Sequence, residues 1–134
     1  MLVYLGLSAV AVFACSCLLL LFGDRSPLAS THLVLAGAIL PLIVGAIAHF
    51  VPVLTRSREP HRAVVMAPLL LQLAGILVFL HFSGDAGVGV LLTAAWIALA
   101  VCLGIAGWLL SRARHTLGAP HPGWRWYLAA LALL

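Results

Sequence analysis

Charge is nearly absent from these 134 residues, of which 7% are Asp, Glu, Lys or Arg, against about a quarter in soluble proteins. That deficit excludes water as the chain's main solvent. Lysine is missing altogether, and the only acids are Asp24, Glu59 and Asp85. None of the three lies within a long apolar run, which argues against a proton relay built on intramembrane carboxylates. There is no HExxH, no CxxC and no Cys/His cluster, so the common zinc motifs are excluded. Short alternating segments of the kind that build a transmembrane barrel are also lacking. The three cysteines, Cys15, Cys17 and Cys102, all fall inside apolar runs. They are expected as packing thiols, since structural disulfides favour oxidised loops outside the bilayer.

What the sequence does contain is hydrocarbon: 65% of its residues are hydrophobic. Runs of about 20 apolar residues span a bilayer core of about 30 Å as helices, and the chain has four of them plus the start of a fifth. The expected fold is all-α, a polytopic transmembrane helix bundle forming a single domain. The helices are expected over about 2–22, 31–53, 63–82 and 87–110, with Ser30 or Thr31 capping the second. A final apolar piece, 126–134, would rise only about 13 Å as helix and is expected to be the beginning of a fifth span in a longer protein. Tyr4-Leu5 and Tyr127-Leu128 open similar Ala/Leu-rich runs, a hint of a repeating four-helix unit. The first run has no basic segment before it and exceeds the length of a signal-peptide core, so it is expected to be retained as a helix.

The arginines set an orientation. Arg56, Arg58, Arg62, Arg112, Arg114 and Arg125 fall on the side shared by the second and fourth loops, and Arg25 alone falls on the other. The positive-inside rule then places the N-terminus and the two basic loops in the cytoplasm of a bacterial-type inner membrane. The basic excess is thereby used for topology, and no nucleic-acid partner is expected. Trp108, Trp124 and Trp126 fit an interfacial aromatic belt on the same side.

The stretch Thr31 to Arg56 combines features found nowhere else in the chain. Gly37, Pro41, Gly45 and His49 are spaced by four and form one stripe. Such a stripe lets another helix approach closely or leaves room for a flat cofactor. Pro41 removes a backbone donor and frees the Gly37 carbonyl in mid-membrane. Gln72, at the same depth on the third helix, is expected to donate a hydrogen bond to the second helix near that carbonyl.

Six histidines are present, and depth sorts them. His32 and His81 lie near the outer face, while His49, His61, His115 and His121 lie toward the cytoplasm. An interfacial histidine is most often solvated and without special role, above all His61, His115 and His121 among loop arginines and prolines. His32 and His49 are the candidate metal ligands. They are seventeen residues and about 26 Å apart along one helix, so each would need a partner from another helix. His32 with His81 is the best-matched pair for bis-histidine haem ligation, and His49 is a further cofactor candidate.

The pattern His32, Pro41, Gly45, His49, Phe50, Val51, Pro52 resembles the second helix of the haem-copper oxidase subunit I superfamily. NnrS-like membrane proteins, associated with nitric oxide stress, are a looser likeness. The likeness covers about 25 residues of the chain, and His49 stands where the oxidase helix has asparagine. It implies haem b as cofactor, His32 as its ligand, and a place in respiratory or nitric oxide metabolism. In the oxidases the second low-spin ligand and the copper histidines come from later helices, so no enzyme activity is expected from these residues alone. Two other classes compete. One is a non-enzymatic membrane subunit or assembly factor that binds partner helices, or a second copy, through the Gly37, Pro41, Gly45 stripe. The other is a small transporter, for which Gln72, Thr93 and Ser8 are too few to line a hydrated path.

Overall fold

A computed structural model describes residues 2–23, 26–54, 60–115 and 123–132. Every regular element in it is helical. Helix α1 spans Leu2–Phe22. Helix α2, Pro27–Val34, runs through a π turn at Leu35–Ile39 into α3, Leu40–Leu54. Helix α4 spans Arg62–Phe82, α5 Val88–His115 and α6 Trp124–Ala132. Four apolar stretches are long enough to cross a membrane, namely Val3–Phe22, Pro27–Val53, Arg62–Phe82 and Val88–Arg112. The chain is an all-α transmembrane bundle, as its composition requires.

The second span starts earlier than its expected cap. Ser26 is the residue that caps it, its hydroxyl accepting the Ala29 N–H at 3.2 Å. Pro27 follows in the first turn, where its fixed φ suits a helix and its missing N–H costs nothing. Ser30 and Thr31 are therefore inside the helix: Thr31 Oγ1 donates to Pro27 O at 2.9 Å, and Ser30 is fully buried. The Ser-Pro pair is the stronger start signal because it supplies an acceptor and a preset backbone together. Helix α5 overruns its expected end at 110 and continues to His115, since nothing from Ser111 to His115 breaks a helix.

Among the described residues, the π turn at Leu35–Ile39 is where the second span departs from regular α-helix. Pro41 has no N–H to give, and its ring would crowd the carbonyl four residues back. The chain widens just before it, so that the Leu40 N–H reaches Leu35 O, five residues back rather than four. Such single wide turns keep the helix continuous while shifting its phase.

The second, third and fourth spans share one core. α1 lies against α2, the π turn and α3; α4 lies against α2, the π turn, α3 and α5; α6 leans on α5. The second span is the most enclosed, with 44% of its apolar window buried against 33% for Arg62–Phe82, 17% for Val88–Arg112 and 11% for Val3–Phe22. The main core sits toward the basic end, where Val44, Ile47 and Val51 meet Ala67, Leu71, Val101, Ile105 and Leu109, with Tyr127 and Leu128 against them. At the opposite end α4 and α5 form a tight hairpin. Gly84 turns it with φ of 81°, a left-handed conformation that a side chain would strain. The outward faces of α1 and α5 expose Val3, Leu7, Val10, Phe13, Leu92, Trp96 and Leu103, surfaces for lipid.

Candidate functional site

The stripe on the second span is consumed inside the chain. Gly37, Pro41 and Gly45 are all buried, whereas His49, the fourth member, is exposed. At Gly37 the backbone meets Gly75 of α4 so closely that a Cβ on Gly75 would collide with Gly37 N and Cα. At Gly45 an added Cβ would collide with the Leu5 side chain of α1 and lie 3.6 Å from Pro68 of α4. The small residues thus admit α1 and α4 at once, which is small-residue helix packing. The face leaves no room for a flat cofactor or for a partner helix.

Gln72 does not reach the Gly37 carbonyl. Its Nε2 donates to Ser8 Oγ of α1 at 2.7 Å, and Ser8 Oγ donates onward to Leu5 O at 2.9 Å. The expectation fails because the π turn and the Gly37–Gly75 contact leave no gap there for an amide side chain. Gln72 turns past the second span to the nearest hydroxyl. A second tie, Ser16 Oγ donating to Ser30 O at 3.0 Å, joins α1 to α2 near the hairpin end. The side chains expected to line any hydrated path are thereby engaged, since Thr93 Oγ1 also donates to its own helix, at Gly89 O.

The histidines gather into one pair. His32 stacks on Phe82 with ring centroids 4.2 Å apart and 26° between planes, and His81 meets the same ring edge-on at 5.3 Å. Both imidazoles therefore rest on one phenyl group at the hairpin end. Each is also oriented by a backbone carbonyl: His32 Nδ1 lies 2.8 Å from Leu28 O, and His81 Nδ1 lies 3.2 Å from Ala86 O. A carbonyl can only accept, so Nδ1 carries the proton in both neutral rings and Nε2 keeps its lone pair. Carbonyl-held Nδ1–H groups of this kind fix the tautomer and orientation of histidines that bind metals through Nε2. Both rings are partly exposed.

The remaining histidines are elsewhere. His49 is exposed at the basic end, edge-on to its neighbour Phe50. His61 caps α4, its Nδ1 accepting the Ala63 N–H at 3.3 Å, a structural use of the side chain. His115 ends α5, and His121 lies outside the described residues, as do Asp24, Arg25, Arg56, Arg58 and Glu59. Among the described residues no three His, Cys, Asp or Glu side chains converge as a metal site. A pair of imidazoles is too few for a closed four-ligand zinc site and is the number a low-spin haem takes. Cys15, Cys17 and Cys102 are free thiols. Comparison with family models, with curated proteins and with solved structures found no match to this chain.

The sequence pointed to His32 and His81 by depth, but Phe82 and the two carbonyls that hold the rings were missed. Phe82 follows His81 directly, and a helical histidine can reach the carbonyl four residues before it, as His32 does at Leu28 O. Those two spacings were the available signals.

Proposed function

We propose that this chain is a membrane subunit that binds haem b through His32, at the face of the membrane opposite its basic loops. The observation that carries the reading is the orientation of the His32 ring. Its Nδ1–H is held by Leu28 O at 2.8 Å and one of its faces by Phe82, which leaves Nε2 as a fixed, unprotonated ligand. His81, against the same phenyl ring, is the second ligand or the neighbour of one brought by another subunit. The likeness of Thr31–Arg56 to the second helix of haem-copper subunit I and to NnrS-like proteins supports the same residue and the same cofactor, and with them a role in respiratory or nitric oxide chemistry. Six arginines against one support an inner-membrane orientation with the N-terminus in the cytoplasm. When bound, the haem would supply electron transfer or gaseous-ligand binding; the chain itself supplies an oriented imidazole beside the Phe82 ring.

The test is the absorption spectrum of the full-length protein purified from haem-replete cells. A Soret band is expected for the natural sequence and for His49→Ala, and its loss for His32→Ala. Absence of the band from the natural protein, or its persistence in His32→Ala, would overturn the proposal.

A further inference from the structure

An apolar groove of about 370 Å³ runs between α4 and α5 toward the basic end, lined by Ala63, Val64, Ala67, Leu70, Ile97 and Gly104 with their immediate neighbours. Small side chains create it. Ala63 and Ala67 on α4 face Ala100 and Gly104 on α5, and a Cβ added at Gly104 would meet nothing within 4 Å. The groove opens outward, where Ala63, Leu70, Ala100 and Gly104 are exposed, and its lining is almost wholly apolar. Its volume lies within the range of about 300–1,000 Å³ usual for small-molecule sites.

Charge marks its upper end. Arg62 precedes the first lining residue, Ala63, and is exposed. Arg112 stands seven residues beyond Ile105 and eight beyond Gly104, two helical turns along the same face of α5, and lies 5.8 Å over the Trp108 ring. Arg62 and Arg112 thus stand at the same ends of the two membrane-spanning stretches that wall the groove. In sequence the basic end as a whole carries six arginines against the single acid Glu59.

From this we infer that the groove is a seat for one anionic phospholipid, with an acyl chain lying between α4 and α5 and the phosphate held between Arg62 and Arg112. An apolar slot facing the bilayer takes up hydrocarbon chain, and paired arginines bind the phosphate most strongly where no choline cation accompanies it, favouring an anionic over a zwitterionic headgroup. A basic residue near the membrane surface contributes about 1 kcal/mol toward anionic lipid, roughly a fivefold preference for each arginine engaged.

The experiment compares spin-labelled phosphatidylglycerol with spin-labelled phosphatidylcholine on the full-length protein in bilayers, reading the motionally restricted fraction. Phosphatidylglycerol should be preferred at least fivefold. Arg62→Gln with Arg112→Gln should bring the two lipids to parity while leaving a restricted component. Gly104→Leu, whose Cβ meets nothing within 4 Å and whose side chain occupies the slot, should remove the tight component for both lipids with helicity and particle size unchanged. Equal binding of the two lipids by the natural protein would overturn the inference, as would an unchanged restricted fraction in Gly104→Leu. If Gly104→Leu instead converts an oligomer to a monomer, the groove seats a second copy and the lipid reading fails.

Discussion

Gly75 and Gly104 show how little residue type alone says about a glycine in a membrane helix. Gly75 touches the Gly37 backbone, and Gly104 faces open space. Gly75→Ala therefore has to push two helix backbones apart. It is expected to cost about 3 kcal/mol, at the upper end for overpacking, whereas Gly104→Ala should fall within about 0.5 kcal/mol of neutral. Steric-trapping or denaturant unfolding in detergent separates the two. Gln72 is a milder case. Its amide has a hydroxyl partner on α1, and such intramembrane bonds are worth about 0.6 to 1.7 kcal/mol. Gln72→Leu and Ser8→Ala should each lose about 1 kcal/mol, and the double variant should lose no more than either single one. Additive losses would show that the two side chains do not act on each other.

At the scale of the helix, the π turn decides where His32 points. A straight α-helix turns about 100° per residue, so one extra residue in a turn rotates everything before it relative to everything after. Leu35–Ile39 lies between His32 and the Gly45 contact, and His32 meets Phe82 with that rotation in place. Pro41→Ala restores the missing donor and removes the ring that obstructs regular geometry. The turn should then tighten, swinging Pro27–Val34 by about 100° and taking His32 off Phe82. Solid-state NMR cross-peaks between the two rings would vanish in the variant; their survival would show that the Gly37–Gly75 contact holds the wide turn without help from proline. Pro41 announced a freed carbonyl in the sequence. How the helix would absorb it was not legible, because a kink, a water or a wide turn can each answer the same missing bond.

In the molecule as a whole the first and fourth spans are the least enclosed. α1 is held by few ties: Leu5 in the Gly45 notch, Ser8 to Gln72, and Ser16 to Ser30. Orientation belongs to this scale as well, since it follows from the sum of loop charges. In intact cells Asp85→Cys in the α4–α5 hairpin should react with a membrane-impermeant maleimide, and His61→Cys should react only after permeabilisation. The reverse pattern would turn the bundle over and put the His32–His81 pair on the cytoplasmic face.

Hydrophobic length and the scarcity of charge were enough to determine the class of fold and the number of spans. Bilayer thickness and the cost of unpaired backbone groups in hydrocarbon allow little else. Depth along each helix was legible too, because rise per residue is constant, and it is what paired His32 with His81. Rotation about each helix axis was not legible, since it depends on which neighbours arrive and on the extra residue in the π turn. Gln72 meets Ser8 and not the Gly37 carbonyl for that reason. The Phe82 ring, the carbonyls that fix the histidine tautomers and the closure of the Gly37, Pro41, Gly45 face all depend on contacts between helices, and only the tertiary structure could decide them.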